Sequence, residues 1–307
     1  MGKTSIEWSA DSVNPLIAFN VDEKRGWFCE KIAAGCKNCY AERMNQWRGN
    51  GVRYAADQAA KVTMKLDEKL LRKIAGFKKP RKIFPCDMTD LFGRWVPDEW
   101  IDAVLAAFYG LPERFEIQFL TKRAARMQEY MAAPDRRQKV LKAGFGLGLR
   151  WALAGTQSLV ESPAAWPPPH FQFGVSVACQ EDVEIQIPAM LRTPAALRWV
   201  SYEPAIGPAD IFKYLSPMCP FSKDEHKRHQ NGNLICDYRK IDWVVCGSES
   251  GPGRRPWKLE WFEKVVQDCT EAGVPVFVKQ LTDASGYRIP FEQWPTNLQV
   301  RQFPMKA

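Results

Sequence analysis

The sequence predicts an α/β protein built on a largely parallel sheet, and three observations carry that reading. Short apolar runs rich in β-branched and aromatic residues recur between longer stretches of helical periodicity. Each run is followed by polar or Gly-containing sequence, the punctuation of βα units. The chain has 307 residues, enough to bury a sizeable core, and an α/β barrel fits that length. We read it as one domain over residues 1–307 with two insertions, at about 134–169 and 212–240.

Seven strands are expected, at Pro15–Asn20, Lys82–Cys86, Glu116–Leu120, Phe171–Val177, Leu197–Tyr202, Asp242–Cys246 and Val274–Lys279. A helix should start at Pro97-Asp98-Glu99-Trp100, because proline suits the first turn and acidic side chains complement the positive end of the helix dipole. Leu259–Ala272 reads as a helix stopped by Gly273. Glu181–Leu191 reads as a helix that Pro188 should bend or end early. The first insertion is basic and then rich in Gly and Pro, closing on Trp166-Pro167-Pro168-Pro169. The second is polar and holds two of the three histidines.

Composition is that of an ordinary globular chain, 46% hydrophobic and 25% charged. No basic segment leads into an apolar core at the start, and no run of eighteen apolar residues occurs, so no membrane association is expected. Nine cysteines, an odd number without a secretion signal, point to thiols kept reduced and to a cytoplasmic protein. The formal charge of +8 makes polyanions plausible partners, since phosphates attract Lys and Arg.

Cys29, Cys36 and Cys39 place three thiols within eleven residues, after the first expected strand. In α/β barrels the chemistry sits on loops leaving the carboxyl ends of strands. Three thiolates can hold three irons of a 4Fe-4S cluster and leave the fourth open to S-adenosylmethionine. An electron from the cluster then breaks the sulfonium bond, and a 5′-deoxyadenosyl radical removes hydrogen from a substrate. Gly35 lets the backbone turn tightly towards the second thiol. A zinc site completed by Cys86 or a histidine is the alternative, and a thioredoxin-like redox pair is a further one.

The loop and other strings together resemble a phage-associated three-cysteine family related to radical S-adenosylmethionine enzymes. They are SIEW at Ser5 to Trp8, Asn14-Pro15, GCKNCYAER, CDMTDLF, FLTKR, GVSVACQED, SYEPAIGP, GSESGPGRRP and FVKQ, in that order over most of the chain. There are departures. Val13 stands where the family commonly has Trp, Ser248 replaces a Gly, Leu281 replaces an aromatic residue, and the spacer Asn20 to Phe28 is long. The resemblance implies an open or nearly closed barrel of about six βα units, a (β/α)6-type radical barrel with inserted loops. It also implies an external electron donor and a substrate in phage DNA or a modified nucleotide. The reaction would be isomerisation of an amino-acid-substituted thymidine in the host cytoplasm, a hypermodification that evades restriction. Other readings are a radical enzyme on a tRNA, peptide or small metabolite, and a zinc-stabilised nucleic-acid-binding protein without catalysis.

Within that frame Asp87, Thr89 and Asp90 can receive the ammonium of the methionine moiety, or cap a helix. Lys122 and its neighbour Arg123 can meet a carboxylate or phosphate. Ser176 and Glu203 suit ribose hydroxyls at strand ends, and Tyr40, beside a cluster ligand, suits adenine. Gly247, Ser248 and Glu249 are expected at the cofactor, with Arg254, Arg255 and Lys279 at the substrate. Cys219, His226, His229 and Cys236, separated by six, two and six residues, suggest a second, structural zinc.

Overall fold

A computed structural model of the chain describes residues 2–3, 6–154, 166–216 and 239–304. The chain divides into two compact units, Met1–Gly174 with Pro194–Ala196, and Val175–Thr193 with Leu197–Ala307. Both are mixed α/β.

The first unit carries strands β1 (Gly2–Lys3), β2 (Asp11–Val13), β3 (Leu16–Asn20), β4 (Arg25–Gly26), β5 (Val62–Leu66), β6 (Lys82–Pro85), β7 (Glu116–Thr121) and the first four residues of β8 (Phe171–Val177). Its main sheet runs β1-β2-β6-β7-β8. Strand β6 pairs in parallel with β2 and β7, and β1 is an antiparallel edge. The apolar run at Leu16–Asn20 is not the first parallel strand that its composition suggests. It is the middle strand of a separate antiparallel sheet, β4-β3-β5, and buries Leu16, Ile17 and Ala18 in succession. The parallel partner of β6 is Asp11–Val13, too short and polar to stand out as an apolar run.

Helix Asp98–Tyr109 starts where the Pro97 signal places it and buries every residue from Ile101 to Phe108, so it is enclosed on all sides. Phe108 meets Phe119 of β7 edge-on, and Phe119 stacks on Phe173 at 5.1 Å between ring centres. The described part of the first insertion is no loop. It forms helices Arg136–Gly146 and Arg150–Ala154. Arg136, 3% exposed, ties them down by donating to Asp102 and Asp98, each at 2.9 Å.

The second unit carries the end of β8, then β9 (Leu197–Tyr202), β10 (Trp243–Gly247) and β11 (Val276–Gln280), in the order β8-β9-β10-β11. Strand β10 pairs in parallel with β9 and β11. All five residues of β10 are buried, the continuous apolar pattern of a parallel strand covered on both faces. Helix Gln180–Arg192 runs through Pro188 for four more residues, so the proline does not end it early. Helix Leu259–Glu271 ends before Gly273, whose φ of +63° is the left-handed stop expected of glycine. Among the described residues no helix is long and apolar enough to cross a membrane. Most of the second insertion, with Cys219, His226, His229 and Cys236, lies outside the described residues.

Candidate functional site

The three-cysteine loop belongs to the first unit and is anchored at both ends. At its start Phe28 is buried and meets Tyr54 and Trp95 edge-on. Just before it, the Trp27 N–H donates to Asn45 Oδ1 at 2.9 Å, while Asn50 Nδ2 donates to the Ala18 and Trp27 carbonyls. Gly26 is required here, because a Cβ would sit 2.3 Å from the Asn50 nitrogen. At its end Cys39 caps helix Tyr40–Arg48, and Cys36 closes a short 3-10 turn, Ala34–Cys36.

The segments that follow β6 and β7 strap this loop from the side. Thr89 Oγ1 donates to the Phe28 carbonyl at 2.5 Å. Arg123 Nη2 donates to the Glu30 carbonyl at 3.1 Å, while its Nη1 pairs with Asp90 at 3.0 Å. Asp90 Oδ1 also accepts from the Phe92 N–H and Thr121 Oγ1, and its Oδ2 from the Lys122 N–H. A carboxylate has about four acceptor positions, and those bonds fill them. The Glu30 carboxylate is gripped by Arg94 through two bonds, of 2.7 and 2.9 Å. Tyr54 Oη reaches the Met88 carbonyl at 2.7 Å, and its N–H donates to Glu42.

What the straps leave is three half-buried thiols, none of them in a disulfide, whereas Cys86, Cys246 and Cys269 are fully buried. Burial pushes the Cys29 thiol up, with Asp90 adding to this and Arg123 opposing it. Cys39 is also pushed up by burial, against the backbone N–H groups of Glu42 and Ala41 and the Lys122 ammonium. A negative charge on Cys36 or Cys39 adds to the rise at Cys29, and one on Cys36 adds to the rise at Cys39. Among the described residues no three Cys, His, Asp or Glu side chains gather closely enough to hold a single metal ion. A tetrahedral zinc needs sulfurs about 3.8 Å apart, from a Zn–S bond of about 2.3 Å. In a 4Fe-4S cluster each thiolate binds a different iron.

The other expected residues fall into two groups. In the first unit Tyr40 Oη donates to the Asp87 carbonyl at 2.7 Å, and Asn14 Nδ2 holds the Asp87 carboxylate at 2.6 Å. Burial raises the Asp87 pKa against that bond. Thr89 and Asp90 act as straps rather than as open contacts, so an ammonium would find no acceptor on Asp90. Cys86, at φ +63°, turns the chain from β6 into this segment.

In the second unit Ser176 Oγ donates to the Glu203 carbonyl at 3.1 Å, and Glu203 pairs with Lys279. A Cβ on Gly247 would meet Glu203 and Gln280 only at ordinary contact distance, 3.4 and 3.5 Å. Ser248 is fully buried and bonds Thr282 Oγ1 at 3.0 Å, which removes it from any ligand. Glu249 accepts from the Arg255 backbone N–H, Nε and Nη2, so these two side chains are spent on each other. Arg254 has neither a hydrogen-bond nor an ionic partner for its guanidinium among the described residues, and its Nε is buried.

Sequence reasoning missed Asn45, Asn50 and the strap role of Arg123. The burial of Asn45 in a nine-residue helix is visible only in the structure. The chain belongs to the family described as Protein of unknown function (DUF5131), whose model matches residues 3–290. No curated protein and no solved structure matches it.

Proposed function

We propose, since membership of this family assigns no activity, that the chain is a radical S-adenosylmethionine enzyme whose Cys29, Cys36 and Cys39 hold a 4Fe-4S cluster. The observation that supports this most is the strapped loop, where polar side chains from the segments after two parallel strands fix the backbone that carries three half-buried cysteines outside any disulfide. When bound, the cluster would supply one electron to the sulfonium of S-adenosylmethionine and so release a 5′-deoxyadenosyl radical.

The residues of the chain have separate tasks in this reading. Cys39, at a helix N-terminus with Lys122 nearby, has backbone N–H groups and an ammonium that favour its thiolate against burial. Arg123 fixes the carbonyl next to Cys29 and places a guanidinium within electrostatic reach of that sulfur. Asp90 orients Arg123 and touches no ligand itself. Tyr40 and Asp87 keep the helix start and the β6 loop together. The substrate we propose is an amino-acid-substituted thymidine of phage DNA, with isomerisation as the reaction. A partial barrel of about six βα units, an external electron donor and a cytoplasmic setting complete the reading.

Anaerobic reconstitution with iron and sulfide, followed by electron paramagnetic resonance of the reduced protein, tests it. A 4Fe-4S signal that changes on adding S-adenosylmethionine, with 5′-deoxyadenosine formed on turnover, is the expected result. Zinc in place of that cluster, without spectral response to the cofactor, would overturn it.

A further inference from the structure

Two loops of the second unit end next to one another with their functional groups unspent. The loop after β10 turns at Gly251, φ +89°, and the hairpin after β11 turns at Gly286, φ +88°. A Cβ on Gly286 would lie 2.9 Å from the Gly251 carbonyl oxygen, 3.1 Å from Arg254 Cδ and 3.2 Å from its Nε. The stem of Arg254 therefore lies directly on the Gly286 backbone, which only glycine permits.

The hairpin is held firmly. Asp283 Oδ1 accepts from the N–H groups of Ser285 and Tyr287, at 2.8 and 3.0 Å, and the Asp283 N–H donates to the Tyr287 carbonyl at 2.9 Å. Trp257 Nε1 ties the hairpin's base to the neighbouring loop through the Thr282 carbonyl, at 2.9 Å. On this rigid turn Tyr287 is 75% exposed, and its ring packs against no other ring among the described residues. The stem of Arg254 lies against Gly286, the residue before Tyr287, and its guanidinium has no carboxylate among the described residues, although Arg255 is engaged by Glu249.

We propose that Arg254 and Tyr287 form a contact site for single-stranded nucleic acid, with the guanidinium on a backbone phosphate and the phenol ring stacked on a neighbouring unpaired base. A forked guanidinium matches phosphate oxygens, and an exposed ring offers a sequence-tolerant platform for a base face. A duplex hides its base faces, so the ring has nothing to stack on there. The net charge of +8 favours the encounter. The inference bears on the substrate part of the reading above and does not depend on the cluster.

The test is fluorescence anisotropy with a labelled oligodeoxythymidylate and with the matching labelled duplex, on full-length protein over a salt series. Wild-type protein should prefer the single strand. Tyr287→Ala should weaken single-strand binding roughly tenfold or more and erase that preference. Arg254→Gln should reduce the salt slope by about 0.7, the value of one phosphate contact on a single strand. Circular dichroism should be unchanged in both variants, since Tyr287 is 75% exposed and Arg254→Gln keeps most of the side-chain stem. No single-strand binding, equal affinity for duplex, or full affinity in both variants would overturn the site. The readout needs no cluster, so its failure leaves the radical reading standing, and failure of reconstitution leaves this site standing.

Discussion

The first unit turns its polar side chains onto a loop backbone, whereas the second closes its charges on one another. Around the cysteines, Thr89, Arg123 and Arg94 hold two carbonyls and a carboxylate of the loop, and Asp90 orients Arg123. In the second unit, Glu203 is matched by Lys279 and Glu249 by Arg255. The contrast teaches where to look for ligands. A charge that already has its counter-charge is part of the scaffold, and the informative groups are those left over: three thiols in one unit, Arg254 and Tyr287 in the other.

The sharpest way to break the comparison is to remove a thiol. Cys29→Ala, Cys36→Ala and Cys39→Ala should each abolish the reconstituted 4Fe-4S signal, with thermal stability of the metal-free protein nearly unchanged. Cys86→Ala should keep the signal, because that thiol is buried, whereas the other three are partly exposed. Equal loss of iron in all four variants would mean that the loop has no privileged role.

Next in size is the strap. Asp90→Ala leaves the Arg123 guanidinium, only 11% exposed, without its carboxylate. Breaking such a pair from one side costs on the order of 3 kcal/mol and should lower the melting temperature by several degrees. Cluster content should fall with it, since Arg123 then no longer holds the Glu30 carbonyl. Arg94→Ala should destabilise as well, because it leaves the Glu30 carboxylate, only 6% exposed, without its guanidinium. If Asp90→Ala lowered the melting point but left the cluster spectrum untouched, Asp90 would be structural only.

This strap also shows how far the sequence could be read. Phe171–Val177 and Leu197–Tyr202 were legible to the residue, because apolar β-branched and aromatic runs bounded by breakers are local signals. The cysteine loop was legible for the same reason, as spacing within one segment. Asp11–Val13 was not, since three residues with two polar side chains carry no periodicity. Nor was Arg136–Gly146, whose packing depends on a buried Arg136 that composition counts as surface charge. The pairings of Asp90, Glu249 and Arg255 were not legible, because a motif shows which groups are present and not which of them pair. Arg123 meets a carbonyl 93 residues away, and no local pattern encodes that.

The second unit offers a smaller and distinguishable effect. Glu203→Gln and Lys279→Met should each destabilise, and the double variant should be less harmful than the sum, with a coupling of about 1–3 kcal/mol. Stability from denaturant titration checks this. Additive effects would mean that the pair does not hold in solution, and Lys279 would then rejoin the groups free to meet a ligand.

Acid titration separates the units by the smallest margin. In the first, His170 is 5% exposed and its Nε2 donates to the Phe108 carbonyl at 3.1 Å, so its proton sits on Nε2. Its Nδ1 is buried without a partner, and burial holds the pKa below the ordinary 6.5. A depressed pKa stabilises the fold above the unfolded value, and that contribution is lost as pH falls towards the folded one. In the second unit burial raises the pKa of Asp242 above the ordinary 3.8, although the Arg198 N–H opposes this. The sign is then reversed: its contribution is full below the unfolded value and is lost as pH rises through the folded one. Stability measured from pH about 7 downwards should therefore fall first through His170, by at most about 1.4 kcal/mol per pH unit. His170→Gln should flatten that slope and leave the opposite-signed Asp242 region intact. An unchanged slope in the variant would place the acid sensitivity elsewhere and remove His170 from the difference between the units.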